Sequence, residues 1–118
     1  MLGIDIVSKA RIAGQLARFP ERFPVRVLHP RELAEFTQTT DKVRFLAGRW
    51  AAKEALAKAL GTGLRAPVHM KNIWLDHDEL GAPQLGFAPE LAPLLAGRRC
   101  QLSLSDERDL LVAVVLIL

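Results

Sequence analysis

The chain has 118 residues, 50% of them hydrophobic and 25% charged, and this composition excludes a mainly disordered protein. Its length predicts a single domain over residues 1–118, in a size range where oligomerisation often adds stability. The net charge of +3 indicates attraction to something acidic, and the single cysteine, Cys100, excludes an intramolecular disulfide.

The first third of the chain predicts one strand followed by two helices. Residues 1–7 have the pattern of a strand, and a helix is expected over Ser8–Phe19. Three prolines between residues 20 and 30 predict an irregular stretch, and the last of them suits the start of a short helix at Arg31–Thr37. Alternation along the strand places Leu2, Ile4 and Ile6 on one face and Gly3, Asp5 and Val7 on the other.

A long helix in the middle of the chain is the most informative predicted element. It is expected to run from about Asp41, a good N-cap, to Leu60, and to stop at Gly61. Because apolar residues cover nearly its whole circumference, the helix should be largely buried. A carboxylate or ammonium group on such a helix needs a partner, a metal or a cleft.

The second half of the chain predicts four strands and one more helix. The strands are expected at Asn72–Asp76, Gln84–Gly86, Cys100–Ser105 and Leu110–Ile117, with turns at Glu79–Pro83 and Asp106–Asp109 and a helix at about Pro89–Ala96. The resulting order is β-α-α-α-β-β-α-β-β, an α+β fold. The final apolar run is too short to span a membrane, and the N-terminus lacks a signal-peptide pattern, so we expect a cytoplasmic protein, or a mitochondrial-matrix protein in a eukaryote.

Several residues stand out by their position in these elements. Glu54 and Lys58 are four residues apart on the long helix, and Asp5 lies in the first strand, where aspartate is disfavoured. Gly61 and Gly63 leave room for a ligand to approach the backbone. Two ordinary interpretations stay open: Glu54 and Lys58 can form a surface pair, and Asp5 can cap the helix that follows it.

Three separated motifs carry a resemblance to a known family. They are Gly3-Ile4-Asp5-Ile6-Val7, Arg49-Trp50-Ala51-Ala52-Lys53-Glu54-Ala55 with Lys58 and Gly61-Thr62-Gly63, and Ser103-Leu104-Ser105. Together and in this order they resemble the holo-acyl-carrier-protein synthases, which are small 4′-phosphopantetheinyl transferases. The resemblance covers essentially the whole chain.

The resemblance implies a fold, an assembly and a reaction. The fold is a mixed or antiparallel sheet packed on a long central helix, and the assembly is a homotrimer with active sites between subunits. The reaction is Mg²⁺-dependent transfer of the phosphopantetheine arm of coenzyme A to a serine of an acidic apo acyl carrier protein, with release of 3′,5′-ADP. It would support fatty acid biosynthesis or a related carrier-based pathway, with neither nucleic acid nor membrane as a partner.

The resemblance also implies roles for individual residues. Asp5 and Glu54 would bind Mg²⁺, with Glu54 or a metal-bound water as the base, and Lys58 would contact phosphate and stabilise the leaving group. The residues implied for coenzyme A are Arg44, Arg49, Lys58, Gly61, Gly63, Ser105 and Asp106. Those implied for the carrier protein are Arg11, Gln15, Arg18, Phe19 and Arg22, which lie near one face of the first helix if that helix is extended beyond Phe19.

One position departs from the family pattern, and two other functions stay open. The family commonly has a histidine after Ser-Leu-Ser, whereas this chain has Asp106, which cannot donate a hydrogen bond while ionised. Asp106 can instead pair with a cation or lie near the metal. A catalytically impaired family member is therefore one alternative. The other is a basic nucleic-acid-binding domain, which the pI of about 9.5 favours and the absence of tyrosine for base stacking does not.

Overall fold

The computed structural model describes residues 1–118, and it confirms the predicted α+β class. The strands are β1 (Leu2–Ser8), β2 (Ile73–His77), β3 (Pro83–Phe87), β4 (Cys100–Glu107) and β5 (Leu110–Ile117). The helices are α1 (Lys9–Arg18), α2 (Arg22–Val27), α3 (Pro30–Gln38), α4 (Lys42–Leu60) and α5 (Ala92–Leu95). Short 3₁₀ helices at Met70–Asn72 and Pro89–Leu91 precede β2 and α5.

The strands form two antiparallel sheets. The larger sheet has the order β1-β5-β4, and the smaller one pairs β2 with β3. Alternate residues of β5 are buried, namely Leu111, Ala113, Val115 and Ile117. One face of the larger sheet therefore packs against the interior, as the period of two along a strand requires.

Helix α4 lies against this inner face, and β1 approaches the helix closely at Gly3. A Cβ atom on Gly3 would lie 1.9 Å from the carbonyl oxygen of Ala55 and 2.6 Å from the amide nitrogen of Ala59. Only a glycine fits at this contact, and alanine on the helix keeps the opposing surface flat. The contact fixes the position of the inward residues of β1 relative to α4.

The ends of α4 are capped as the sequence predicts. The Asp41 side chain accepts a hydrogen bond from the backbone N–H of Arg44 at 3.0 Å, and Gly61 ends the helix in the left-handed region at φ 75°. Most α4 side chains are buried. Although α4 is the longest helix, no helix combines the length and hydropathy needed to cross a membrane.

Three features of the predicted secondary structure need correction. The stretch between residues 20 and 30 contains an extra helix, α2, because Pro24 lies in its first turn, where a backbone N–H has no helical partner to lose. The predicted helix at Pro89–Ala96 is a 3₁₀ helix followed by the four-residue α5. Strand β4 continues to Glu107, so Asp106 lies in a strand and not in a turn.

The outer face of the larger sheet is apolar and uncovered in the single chain. Leu2, Ile4 and Ile6 of β1 are exposed on it, as is Leu110 at the start of β5. Monomeric proteins rarely expose a contiguous apolar surface of this kind, which is more typical of a subunit interface.

Candidate active site

Asp5 and Lys58 meet at the contact between β1 and α4. The Lys58 Nζ donates a hydrogen bond of 3.0 Å to Asp5 Oδ1 and another of 3.0 Å to the carbonyl oxygen of Ile4. The Asp5 side chain is only 13% exposed, whereas that of Lys58 is 52% exposed. Asp5 is therefore held in place by the fold, and Lys58 is free to reach outward.

Asp5 does not cap the helix that follows it. Ser8 has that role, because its Oγ accepts a hydrogen bond from the backbone N–H of Arg11 at 3.3 Å. The carboxylate of Asp5 instead points inward from mid-strand, toward α4. The capping interpretation of Asp5 is therefore wrong.

Glu54 lies one helical turn before Lys58 and close to Asp5. Partial burial raises the pKa of Glu54 above its usual value, and repulsion from the Asp5 carboxylate raises it further, while Lys58 and Arg11 act in the opposite direction. Two carboxylates that disfavour each other's charge are thus brought together by β1 and α4. The residues predicted as metal ligands share one site.

These two carboxylates fit a divalent cation. Asp5 Oδ2 is buried and accepts no hydrogen bond, so no donor of the chain satisfies this oxygen. No group of three or more histidine, cysteine, aspartate or glutamate side chains surrounds a common point. The donor set is therefore too small for a protein-only cage, but it suits Mg²⁺, which takes one or two carboxylates and completes its shell with phosphates and water.

The turn after α4 leaves the backbone open. Gly61 and Gly63 both have positive φ, at 75° and 63°, and a Cβ atom on either would meet nothing within 4 Å. The turn begins three residues after Lys58, at the C-terminal end of α4. A ligand with phosphate groups could lie against it without steric conflict.

A second cluster lies at the opposite end of α4. Arg44, Ser105 and Asp106 line a cavity of about 360 Å³ between the start of α4 and strand β4. Asp106 accepts a hydrogen bond of 2.7 Å from Lys9 Nζ and two of 3.2 and 3.3 Å from the Arg44 guanidinium. These hydrogen bonds, from Lys9 first and then Arg44, hold the pKa of Asp106 below its usual value.

Arg49 also lines this cavity, but its charge is balanced inside the chain. Its guanidinium lies 3.5 Å from Glu32, 3.4 Å from Glu35 and 3.7 Å from the centre of the Phe45 ring. Burial lowers the pKa of Arg49, and the two carboxylates oppose that shift. The predicted contact of Arg49 with coenzyme phosphates would therefore have to compete with partners that the guanidinium already has.

A buried ion pair beside this site was not predicted from the sequence. Lys53 Nζ lies 2.6 Å from Glu32 Oε1 and 2.6 Å from the carbonyl oxygen of Val27, and Glu32 also accepts the backbone N–H groups of His29 and Leu75. Burial lowers the pKa of Lys53 to about 8, although Glu32 favours the charged form. The signal was present, since Lys53 lies on a helix that is apolar almost all round.

The residues predicted for the carrier protein lie on and just after α1. The guanidinium groups of Arg18 and Arg22 lie 5.1 and 4.9 Å from the centre of the Phe19 ring. Arg11 and Gln15 line a separate cavity of about 490 Å³, whose wall includes Trp50. The structure therefore gives this region a basic surface next to a partly apolar recess, and Arg11 lies near enough to Glu54 to influence its charge.

The predicted site residues thus form two groups within one chain. Asp5, Glu54 and Lys58 lie with the glycine turn near the C-terminal end of α4, and Arg44 and Asp106 lie near its N-terminal end. Fourteen residues of helix separate Arg44 from Lys58, which corresponds to about 20 Å along the axis.

Comparisons with known proteins give a consistent result. The family model described as 4′-phosphopantetheinyl transferase superfamily matches residues 1–115. A holo-[acyl-carrier-protein] synthase of Neisseria meningitidis serogroup A is 46% identical over 115 residues, covering 95% of this chain and 92% of that protein. One from Dechloromonas aromatica is 45% identical over 118 residues, covering 98% and 94%.

Solved structures match over nearly the full length. The holo-[acyl-carrier-protein] synthase from Neisseria meningitidis has a TM-score of 0.94 at 45% identity and covers 99% of this chain and 96% of its own. The Helicobacter pylori protein, solved in complex with coenzyme A, has a TM-score of 0.89 at 32% identity and covers 100% of both chains.

Proposed function

The chain belongs to the 4′-phosphopantetheinyl transferase superfamily, as an enzyme of the holo-[acyl-carrier-protein] synthase type, and we propose that it carries out Mg²⁺-dependent transfer from coenzyme A to an acyl carrier protein. The acceptor is a serine of the apo carrier protein, and the released product is adenosine 3′,5′-bisphosphate. The observation that carries this proposal is the meeting of Asp5, Glu54 and Lys58 beside an open glycine turn.

Each residue of this group has a role in the proposed reaction. Asp5 and Glu54 would hold Mg²⁺, which when bound neutralises charge on the pyrophosphate of coenzyme A. Lys58 can move from Asp5 to a phosphate oxygen, because its side chain is half exposed. Its ammonium group then stabilises the negative charge that develops on the leaving phosphate.

The bond changes in the proposed reaction are simple. The carrier serine Oγ forms a bond to the phosphorus that bears the pantetheine arm, and the bond from that phosphorus to the oxygen of adenosine 3′,5′-bisphosphate breaks. The serine proton passes to Glu54 or to a water molecule.

The basic surface on α1 and the start of α2 suits an acidic carrier protein. Arg11, Arg18 and Arg22 are exposed there, and the Phe19 ring between the last two adds an apolar contact. Such a surface would guide the partner and orient its serine toward Glu54. This role requires the surface to lie near the site. Arg11 meets that requirement, because its positive charge opposes the rise in the pKa of Glu54.

A homotrimer would join the two groups of site residues. The uncovered apolar face of β1 supplies a surface that a second subunit could bury. With subunits arranged around that face, Arg44 and Ser105 of one subunit could meet the glycine turn of the next. A complete coenzyme site would then lie between subunits, in a cytoplasmic enzyme of fatty acid biosynthesis or a related pathway.

One assay tests the proposed function directly. The chain is incubated with apo acyl carrier protein, coenzyme A and Mg²⁺, and the carrier is weighed by mass spectrometry. We expect the carrier to gain one phosphopantetheine arm, and the gain to disappear when Mg²⁺ is chelated. An unchanged carrier mass in the presence of Mg²⁺ would contradict the proposal and would favour a catalytically impaired family member.

A further inference from the structure

The carboxylate of Asp106 is held between two cations in the way that proteins hold a phosphate group. Arg44 contacts both carboxylate oxygens, with Nε at 3.2 Å from Oδ2 and Nη2 at 3.3 Å from Oδ1. Lys9 Nζ adds a shorter contact of 2.7 Å to Oδ2. A guanidinium fork combined with an ammonium group is a common arrangement for binding an oxyanion.

This arrangement borders the cavity at the start of α4, whose lining is mostly polar. Thr39, Thr40 and Ser105 contribute hydroxyl groups to its wall, and Arg44 contributes the cation that is nearest to solvent. The Arg44 side chain is 61% exposed, so its guanidinium can turn from Asp106 to a bound ligand without repacking the core. The carboxylate therefore already occupies the cations that an incoming phosphate would need.

We propose that Asp106 lowers the affinity of the coenzyme site, because its carboxylate competes with the phosphate groups of the coenzyme for Arg44 and Lys9. This inference rests on the proposed function and deepens it. A phosphate ester that enters the cavity must displace the carboxylate from at least one of the two cations. Asp106 therefore weakens the binding of phosphate-bearing nucleotides and offsets one of the two positive charges when no coenzyme is present.

Asp106 could instead position Arg44 and Lys9 for the coenzyme, and that role predicts the opposite change in affinity. If the carboxylate served to hold Arg44 and Lys9 in a productive position, its removal would loosen both cations and weaken coenzyme binding. If it acts as a competitor, its removal frees both cations and strengthens binding. The sign of the change in affinity thus separates the two roles.

The experiment measures coenzyme A binding by isothermal titration calorimetry with the full chain and with Asp106→Asn. The matched control is Glu107→Gln, which makes the same change in net charge on an exposed neighbouring side chain that has no ion pair. We expect Asp106→Asn to lower the dissociation constant by about three- to tenfold, and the control to change it less than about twofold.

Two further measurements test whether the gain in affinity depends on phosphate and on Arg44. Adenosine 3′,5′-bisphosphate, which lacks the pantetheine arm, should show the same tightening as coenzyme A. In an Arg44→Gln background, Asp106→Asn should give a much smaller gain, because one of the competed cations is gone. The gain should also shrink as the salt concentration is raised, since the Arg44 guanidinium faces solvent.

Each remaining result contradicts the inference. Weaker coenzyme binding by Asp106→Asn would show that Asp106 positions the two cations. A change in dissociation constant equal to that of Glu107→Gln would show that only the net charge of the protein matters. Transfer activity in the unmodified chain together with either result overturns only this inference. Failure of every variant to bind coenzyme A, with no transfer, overturns the proposed function as well.

Discussion

Lys58 donates a hydrogen bond of 3.0 Å to Asp5, and this pair joins helix α4 to strand β1 at the one place where a buried carboxylate oxygen lacks a partner. The ammonium group balances one Asp5 oxygen, and the other oxygen remains available for a cation. This relationship makes the Asp5 site testable by changes that alter charge without altering shape.

Replacing Asp5 by asparagine removes the charge and keeps the size. We expect Asp5→Asn to lower the rate of carrier modification at saturating Mg²⁺ by at least about a hundredfold, because the metal loses one of two protein ligands. Thermal unfolding should change little, since the side chain is isosteric. The rate is measured by mass spectrometry, with Glu79→Gln at the exposed hairpin tip as control. Retained turnover would overturn the metal assignment.

The raised pKa of Glu54 predicts that protons compete with Mg²⁺. Below that pKa the carboxylate carries a proton, which the metal must displace, so apparent Mg²⁺ affinity should fall as pH is lowered through the pKa of Glu54. Calorimetric titrations in buffers of different ionisation enthalpy should detect proton release on binding. Glu54→Gln should weaken binding and abolish that release. Equal release in the variant would assign the proton to another group.

The close approach at Gly3 predicts that a single methyl group there is damaging. We expect Gly3→Ala to destabilise the fold by about 1–3 kcal/mol or more, because backbone atoms of Ala55 and Ala59 must move away. Gly14→Ala is the matched control, since nothing lies within 4 Å of a Cβ there. The control should raise stability by about 0.5–1 kcal/mol, as alanine favours a helix interior. Urea unfolding measures both, and an unaffected Gly3→Ala would mean that β1 adjusts freely.

Breaking the buried pair between Glu32 and Lys53 should be costly. Glu32→Gln leaves a buried ammonium without its carboxylate, and we expect a loss of about 3–5 kcal/mol in the free energy of unfolding. Glu35→Gln is a suitable control, because that carboxylate is largely exposed and contacts only Arg49. Chemical denaturation compares the two, and similar losses would argue against a special role for the buried pair.

The lowered pKa of Lys53 predicts how stability depends on pH. Between about pH 8 and the ordinary value of 10.5, the unfolded chain keeps a proton on Lys53 that the folded chain has released. Since the unfolded state binds more protons in this window, stability rises with pH relative to a Lys53→Met variant. Below about pH 8 the two curves should run parallel. A difference that falls with pH across the window would contradict the assignment.

The two ends of α4 were predicted correctly because nearby residues determine them. The cap at Asp41 and the left-handed exit at Gly61 depend on residues within one helical turn, and both are observed as expected. The three prolines between residues 20 and 30 predict an irregular stretch, but Pro24 lies in the first turn of α2, where a proline removes no helical hydrogen bond.

Contacts between distant segments explain the parts that were not predicted. Lys53 and Glu32 are 21 residues apart, and Lys9 and Asp106 are 97 residues apart, so no periodicity connects them. The family resemblance supplied the candidate roles of Asp5 and Glu54, and the packing of β1 on α4 brings both into one site. Pairing of Asp106 with a cation was one of the predicted alternatives, whereas neither source indicated that Arg49 would have partners within the chain.

The length of α4 has a consequence for how this protein can change. Each residue inserted into a helix turns everything beyond it by about 100°, so one insertion before Glu54 would swing that carboxylate and Lys58 away from β1. The capped ends of α4 and its close contact with Gly3 prevent the helix from shifting to compensate for this rotation. Natural length variation should therefore be confined to the surface connections, such as the hairpin between β2 and β3, while the residue count of this helix stays constant.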